Sequence, residues 1–478
     1  MMSTEFARSD QLSAGLVEGL PNICGWEDEL EQISGEALSE QASFEPGTTC
    51  SDRFENVSGG FAIALHMHQP AIPAGKTGEL INNLQYMFEH PYEGDNYNAG
   101  HFAYCYSRIG DFIPELVSQG CDPRVMLDYT GTLLWGLQQM GRTDILDKLK
   151  RITCDRAYYQ HVEWLGTFWG HGIADNIPLP DIKHHIQAWR HHFADIFGTE
   201  ALGNVRGFSP PKMKLPSHPD VLYHLIHSLK TCGYRWMLVE EETVETITGD
   251  AIISPQHPYQ LVAQNSMGGE INIPVIIHSQ ESESSSVARM RPYQEAQALA
   301  PIVLNGRTVP PMITRIADGE NEGVMMNEFP SAFKRAWHTI SNSQQSNQPA
   351  GITAFNGTEY LNALAMKGIQ SSDLPKCQIK RPVTQVGLSS GHSHENAAEA
   401  HPRDVLALID DLSSRFHAVT ARVSATSTLS RREHRYRNAL LHNLLLQTSC
   451  FRSWGEGDWT EYAQEIHRRG CAILEHDF

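Results

Sequence analysis

Phe61-Ala62-Ile63-Ala64-Leu65-His66-Met67-His68-Gln69-Pro70 is the stretch from which the fold is read. Its first five residues are apolar without alternation, the pattern of a strand covered on both faces, as in parallel sheets packed between helices. Polar His and Gln then replace the apolar side chains, and Pro70 ends the ladder. Similar short apolar runs follow at Val125 to Tyr129, Val205 to Phe208, Trp236 to Val239, Ile271 to Ile277, Met312 to Ile316 and Gly351 to Phe355. Helical patterns lie between several of them, at Phe102 to Val117, Thr132 to Ile152, Ile182 to Ile196 and Val221 to Cys232. Strands alternating with helices over this length predict an α/β fold with a mainly parallel barrel or open sheet. From residue 404 onward the pattern is helical only, with Leu408, Ile409, Leu412, Phe416, Val419 and Val423 at helical spacing.

The chain divides accordingly. Residues 1–60 hold 12 Asp and Glu against two Arg, more than half of the net charge of −19 carried by all 478 residues. That predicts an acidic, disordered arm, with at most a short helix around Trp26 to Ile33. Residues 61–367 form the α/β body, 368–403 a linker or lid, and 404–478 a helical domain. Ser279 to Ser286 reads as an exposed polar loop. The negative balance argues against nucleic acid or an anionic membrane as partner and suits a neutral ligand such as a sugar. No apolar run approaches the ~18 residues of a membrane span. Nine cysteines without CxxC spacing and the lack of a secretory leader predict a reducing, cytoplasmic setting. Neither cofactor nor bound metal is expected on this reading, and the oligomeric state is not legible.

Five groups can carry chemistry. His66 and His68 are two apart on one strand and face the same side, where they can donate hydrogen bonds to hydroxyls or ligate a metal. Asp318-Gly319-Glu320-Asn321 follows an apolar strand, and two carboxylates at a strand end can act as acid and base or stabilise an oxocarbenium-like state. Phe168-Trp169-Gly170-His171 offers aromatic surface beside an imidazole, as sugar sites use. Arg206-Gly207-Phe208-Ser209-Pro210-Pro211-Lys212-Met213 is a strand end stopped by two prolines, the position where α/β enzymes place reacting side chains. Gln447 to Trp459, with Trp454, is a Gly- and acid-rich loop able to reach over such a site. His184, His185, His191 and His192, on a helix, read as solvated.

Together these groups resemble glycoside hydrolase family 57, the amylase and α-glucanotransferase family. His66-Met67-His68-Gln69-Pro70, Trp169-Gly170-His171 with Ile177-Pro178-Leu179, Arg206 to Met213, and Ala317-Asp318-Gly319-Glu320-Asn321 are similar to its four motifs in order, over residues 61–478. The resemblance implies an incomplete (β/α)7 TIM-like barrel followed by a carboxyl-terminal helical bundle, acting on an α-glucan by hydrolysis or transfer. It implies Asp318 as general acid and His66, His68, Gln69 and His171 as sugar contacts; Arg206, Glu320, Asn321 and Trp454 are read beside them as further substrate-binding candidates. It also puts Lys212 where the family carries its nucleophilic Glu, and an ammonium cannot form a glycosyl ester. Glu240, Glu241 and Glu242 are the nearest acids in sequence. The alternatives are a glycan-binding homologue without catalysis, and a metal-dependent hydrolase or deacetylase built on His66, His68 and Asp318. A scaffold recruited through the acidic arm ranks below both.

Overall fold

The computed structural model describes residues 19–39, 54, 57–278, 284–320, 328–345, 351–380, 402–426, 433–454 and 457–478. The strands that position the site are β1 Val57–Met67, β2 Val125–Tyr129, β3 Val162–Gly166, β4 Gly207–Phe208, β5 Trp236–Glu240, β6 Tyr259–Gln264, β7 Glu270–His278, β8 Met312–Asp318, β9 Gly351–Ala354 and β10 Lys376–Ile379. The helices that bear on the site are α1 Glu27–Ser39, α2 Asn83–Glu89, α3 Ala99–Ser107, α4 Leu179–Phe197, α5 Pro219–Thr231, α6 Pro402–Thr426, α7 His434–Leu446 and α8 Asp458–His476.

Seven strands form the body in the order β8-β1-β2-β3-β4-β5-β7, each pair parallel. This is the incomplete (β/α)7 arrangement. No ladder joins β7 to β8 among the described residues; a side chain spans the seam instead. His278 Nδ1, at the end of β7, lies 3.4 Å from both Thr314 O and Ile316 N of β8. Side chains of β1 from Gly59 onward are buried, as a strand between helices requires. Gly60 is small for a reason: a Cβ there would come within 2.7 Å of the Phe355 ring.

The fold departs from the expectation in three places. β1 starts at Val57, and part of the acidic segment is packed rather than an arm. Ile23, Cys24 and Leu30 join the main core, and α1 is held on α4 by Arg190 donating to Leu30 O (2.8 Å). The charges of α1 sit on one face of an amphipathic helix, so a net acidic composition did not exclude burial. Lys376–Ile379, inside the expected linker, is strand β10, which pairs parallel with β6. β6 in turn pairs antiparallel with β7, an exception to the parallel rule. The remainder of that linker from residue 381, most of Ser279 to Ser286, and residues 1–18 lie outside the described residues.

The carboxyl-terminal helices α6, α7 and α8 pack together and against the body. Their anchor is Asp181 at the start of α4, fully buried. It accepts from Ser413 Oγ (2.7 Å), His417 Nε2 (2.7 Å) and Gln447 Nε2 (2.8 Å). Burial opposes the charge, but His184, His417 and Ser413 outweigh it and hold the carboxyl well below the usual range. Three of the α4 histidines, His185, His191 and His192, are core residues rather than solvated ones, and His184 is partly buried. His185 is held between Gly170 N and Gln447 Oε1, and His192 accepts from Trp169 Nε1 (3.1 Å). Helical periodicity left them ambiguous, because a histidine buried with two partners has the same spacing as an exposed one.

Candidate active site

Parallel register lines up three strand ends. His66 on β1 is paired with Asp318 on β8 at one side and with Asp128 on β2 at the other. All three border a cleft of about 1140 Å3 at the carboxyl ends of the strands. His66 Nδ1 donates to Asp128 Oδ2 at 3.0 Å, and its Nε2 lies 3.0 Å from His171 Nε2. Burial works against charge on His66, but Asp128, aided by Asp318 and Glu320, outweighs it and raises the imidazole to about 9. His66 is therefore charged at neutral pH, and Lys212 is a second cation bordering the same cleft.

His68 and His171 are held neutral, first by burial and then by repulsion from His66 and Lys212. With His66 donating, His171 Nε2 accepts and its Nδ1 donates to Ser449 Oγ (3.0 Å). His171 sits at φ 57°, a left-handed conformation that turns the chain after Trp169-Gly170 into the cleft. His68 lies with Nδ1 2.9 Å from Thr130 Oγ1 and Nε2 3.2 Å from Cys450 Sγ. Burial raises the Cys450 thiol to about 12, so the S–H donates to His68. The three imidazoles stack, His68 on His171 at 4.0 Å between centroids.

The acids differ in environment. Asp318 is exposed in the cleft. Glu320 accepts from His68 N at 2.8 Å; burial raises its carboxyl to about 7, with His66 opposing the shift and Asp318 adding to it. Glu240, at the end of β5, borders the same cleft, and burial raises its carboxyl too. Glu241 and Glu242 do not; they border a separate cavity of about 760 Å3. Asn321 lies outside the described residues.

Lys212 occupies the turn after β4. Pro210-Pro211 end the strand, and Lys212 and Met213 both take positive φ (55° and 56°). The ammonium reaches the cleft and donates to Ser453 Oγ at 3.1 Å; burial lowers its pKa from the ordinary lysine value. Trp454, Trp459 and Tyr462 form the wall contributed by the carboxyl-terminal region. Gln69 borders the cleft, its Oε1 accepting from Asn83 Nδ2 (2.9 Å).

Two expected contacts are not in the cleft. Arg206 precedes β4 at the opposite end of the strand from Lys212, half-buried near Arg235, Arg190 and Glu163. Phe168 and Trp169 are fully buried core rings rather than platforms. Sequence reasoning missed Asp128, Thr130, Ser449 and Cys450. Asp128 alone left a signal, a carboxylate inside an otherwise apolar strand; its Oδ1 is buried at the cleft with no hydrogen-bond partner among the described residues.

His66, His68 and Asp318 are not a ligand set, because both nitrogens of His66 are engaged. Three other groups bring ligand atoms within 4.8 Å of one another: His68, His171 and Cys450; Asp181, His184 and His417; and Asp411, His467 and Cys471. In the first group the His68 and His171 planes are 19° apart and stacked. Imidazole lone pairs lie in the ring plane, so these two do not converge on one ion as arranged.

Residues 62–280 match the family model described as Glycosyl hydrolase family 57. The match takes in β1 to β5 and β7, six of the seven strands of the body, and stops short of β8. No curated relative matches the chain. Among solved structures the family 57 branching enzyme of Thermococcus kodakaraensis is similar at 13% identity and TM-score 0.55, covering 88% of this chain and 89% of that one. The branching enzyme of Pyrococcus horikoshii gives 14% and 0.52, covering 87% and 88%. The α-amylase of Thermotoga maritima gives 10% and 0.54, covering 88% and 93%. These likenesses extend the family 57 fold beyond the barrel to the carboxyl-terminal helices.

Proposed function

We propose that this chain is an α-glucan-active protein whose cleft binds α-linked glucose chains and whose family 57 double displacement is disabled at residue 212. The reading rests on the family 57 match of the barrel segment and on one observation: Lys212 and Asp318 border the same cleft. Asp318 is the proton donor to the glycosidic oxygen. As that bond breaks, positive charge develops at the anomeric carbon. A carboxylate at position 212 would attack that carbon and form a glycosyl ester; the Lys212 ammonium repels the developing charge instead. Turnover of α-1,4-glucan is therefore slow, while binding persists. Sugar hydroxyls meet the polar side chains bordering the cleft, Gln69 and the Glu320 carboxylate among them, with His68 at the cleft wall held by Thr130 and Cys450. Trp454 and Trp459 supply faces for the apolar side of the rings. A reducing, cytoplasmic setting belongs to the same reading, since the eight described cysteines are free and no described helix is long and apolar enough to cross a membrane.

A second reading is favoured by Glu240. As a carboxylate across the cleft it could activate water for a single displacement, with Asp318 as acid. Calorimetric titration with maltooligosaccharides tests the binding claim. Native protein is expected to bind, with affinity reduced at least ~10-fold by His68→Ala and by Trp454→Ala. Silence of the folded native protein across the whole series contradicts it. Fast native turnover abolished by Glu240→Gln would replace the first reading with the second.

A further inference from the structure

We propose that the segment between α2 and the end of α3 carries a second glucan platform, an exposed row of tyrosines that continues the cleft outward. The proposal rests on the α-glucan reading above and adds where a long chain lies once it leaves the site. Tyr92 is 99% exposed, Tyr97 68% and Tyr104 45%. A single exposed aromatic is unremarkable on a protein surface, but this distribution is uneven. The strongly exposed aromatics among the described residues are Phe88, Tyr92, Tyr97, Tyr104 and Trp454, all on the two segments that wall the cleft. The exposed aliphatics Ile247, Ile253, Met267, Val303 and Met366 lie elsewhere in the chain.

Spacing makes the tyrosines a row. Tyr97, His101 and Tyr104 are at i, i+4 and i+7 and are all exposed, so they share one face running into α3. Tyr97 sits in the 3-10 turn Asn96–Asn98 that leads into α3; at ~1.5–2.0 Å per residue it is roughly 10–14 Å from Tyr104 along the chain direction, a span of about two to three glucose units. The row adjoins the cleft along the chain, since Tyr86, Asp95, Asn96 and Phe102 of the same segment border it. The turn that carries Tyr92 is held in place. Tyr86 stacks on His90 (4.2 Å) and donates to Glu93 Oε2 (2.8 Å), while Asn96 Nδ2 donates to His90 O (2.9 Å). Rings on a fixed backbone lose little freedom on binding. Each offers an apolar face for sugar C–H groups and a hydroxyl for their O–H groups. An apolar protein partner would call for aliphatic neighbours, whereas the tyrosines' neighbours in the chain are Glu93, Asp95, Asn96 and Asn98, which suit a hydroxyl-rich chain.

The test compares maltotriose with soluble amylose as probes on the full-length chain, in native form, as Tyr92→Ala, and as Tyr97→Ala/Tyr104→Ala. Circular dichroism checks folding, which exposed side chains should not disturb. Native protein is expected to bind amylose more tightly than maltotriose. Each ring removed should weaken amylose binding about threefold and leave maltotriose unchanged. Tyr97→Phe/Tyr104→Phe, which keeps the rings, should restore most of the amylose affinity. Unchanged amylose affinity in both alanine variants overturns the platform while leaving the cleft reading intact, as does an equal loss for both probes. Absence of native binding to either probe overturns the cleft reading and the platform with it.

Discussion

His66 holds charge because Asp128 sits beside it in register, not because histidine is basic. Asp128→Asn should therefore drop the His66 pKa from about 9 by more than about one unit, followed by NMR of the imidazole; an unchanged value would remove Asp128 as its main support. The same shift sets a sign for stability. A histidine raised to about 9 stabilises the fold fully below its unfolded value of ~6.5, and the contribution is lost as pH rises through 9. Glu320 acts in the same direction for the opposite reason: its carboxyl is raised to about 7 by burial. Ionising it costs free energy from the unfolded value of ~4.3 upward, with the full cost present above 7. Stability should therefore fall between pH 5 and 9. Glu320→Gln should flatten the lower half of that fall, as read from urea midpoints at pH 5, 7 and 9; an unaltered slope contradicts the assignment. Residues already at strand ends, His66, His68 and Asp318, were legible in the sequence. Asp128 and Cys450 were not, since they meet His66 and His68 across 62 and 382 residues of chain. Arg206 was misplaced because the strand after it is only two residues long, which left its two ends hard to tell apart.

At the scale of elements, the continuous apolar strands read clearly because helices cover both of their faces. β6 and β10 did not: each mixes polar residues into a short run, and β10 lies between β6 and a three-residue strand at Val244–Thr246. The join between barrel and carboxyl-terminal helices was invisible for a different reason, since it is a polar network rather than an apolar stripe. Gln447 links Asp181 to His185 and begins the stretch that brings Ser449 and Cys450 to the histidines. Gln447→Ala leaves a buried carboxylate short of one donor and is expected to destabilise by about 1–3 kcal/mol in denaturant unfolding. No loss would mean that water or another donor replaces it without cost. For α1, Leu30→Ala should cost about 2–4 kcal/mol if the helix is part of the core, against nearly nothing for an arm.

At the scale of the whole molecule, the strand ends open into a cleft bordered by both Lys212 and Asp318, and on the proposed function an ammonium at 212 stands where an attacking carboxylate is needed. The most direct measurement is the initial rate of bond cleavage and transfer on α-1,4-glucan for native protein, Lys212→Glu, and Lys212→Glu with Asp318→Asn. Residue 212 is on an exposed turn, and both side chains are long and polar, so the fold should accept the exchange. Lys212→Glu is expected to raise the rate by at least ~100-fold, because it restores the covalent route, and the gain should vanish when Asp318→Asn is added. A native protein that is already fast, and that Lys212→Ala leaves unharmed, would contradict the account.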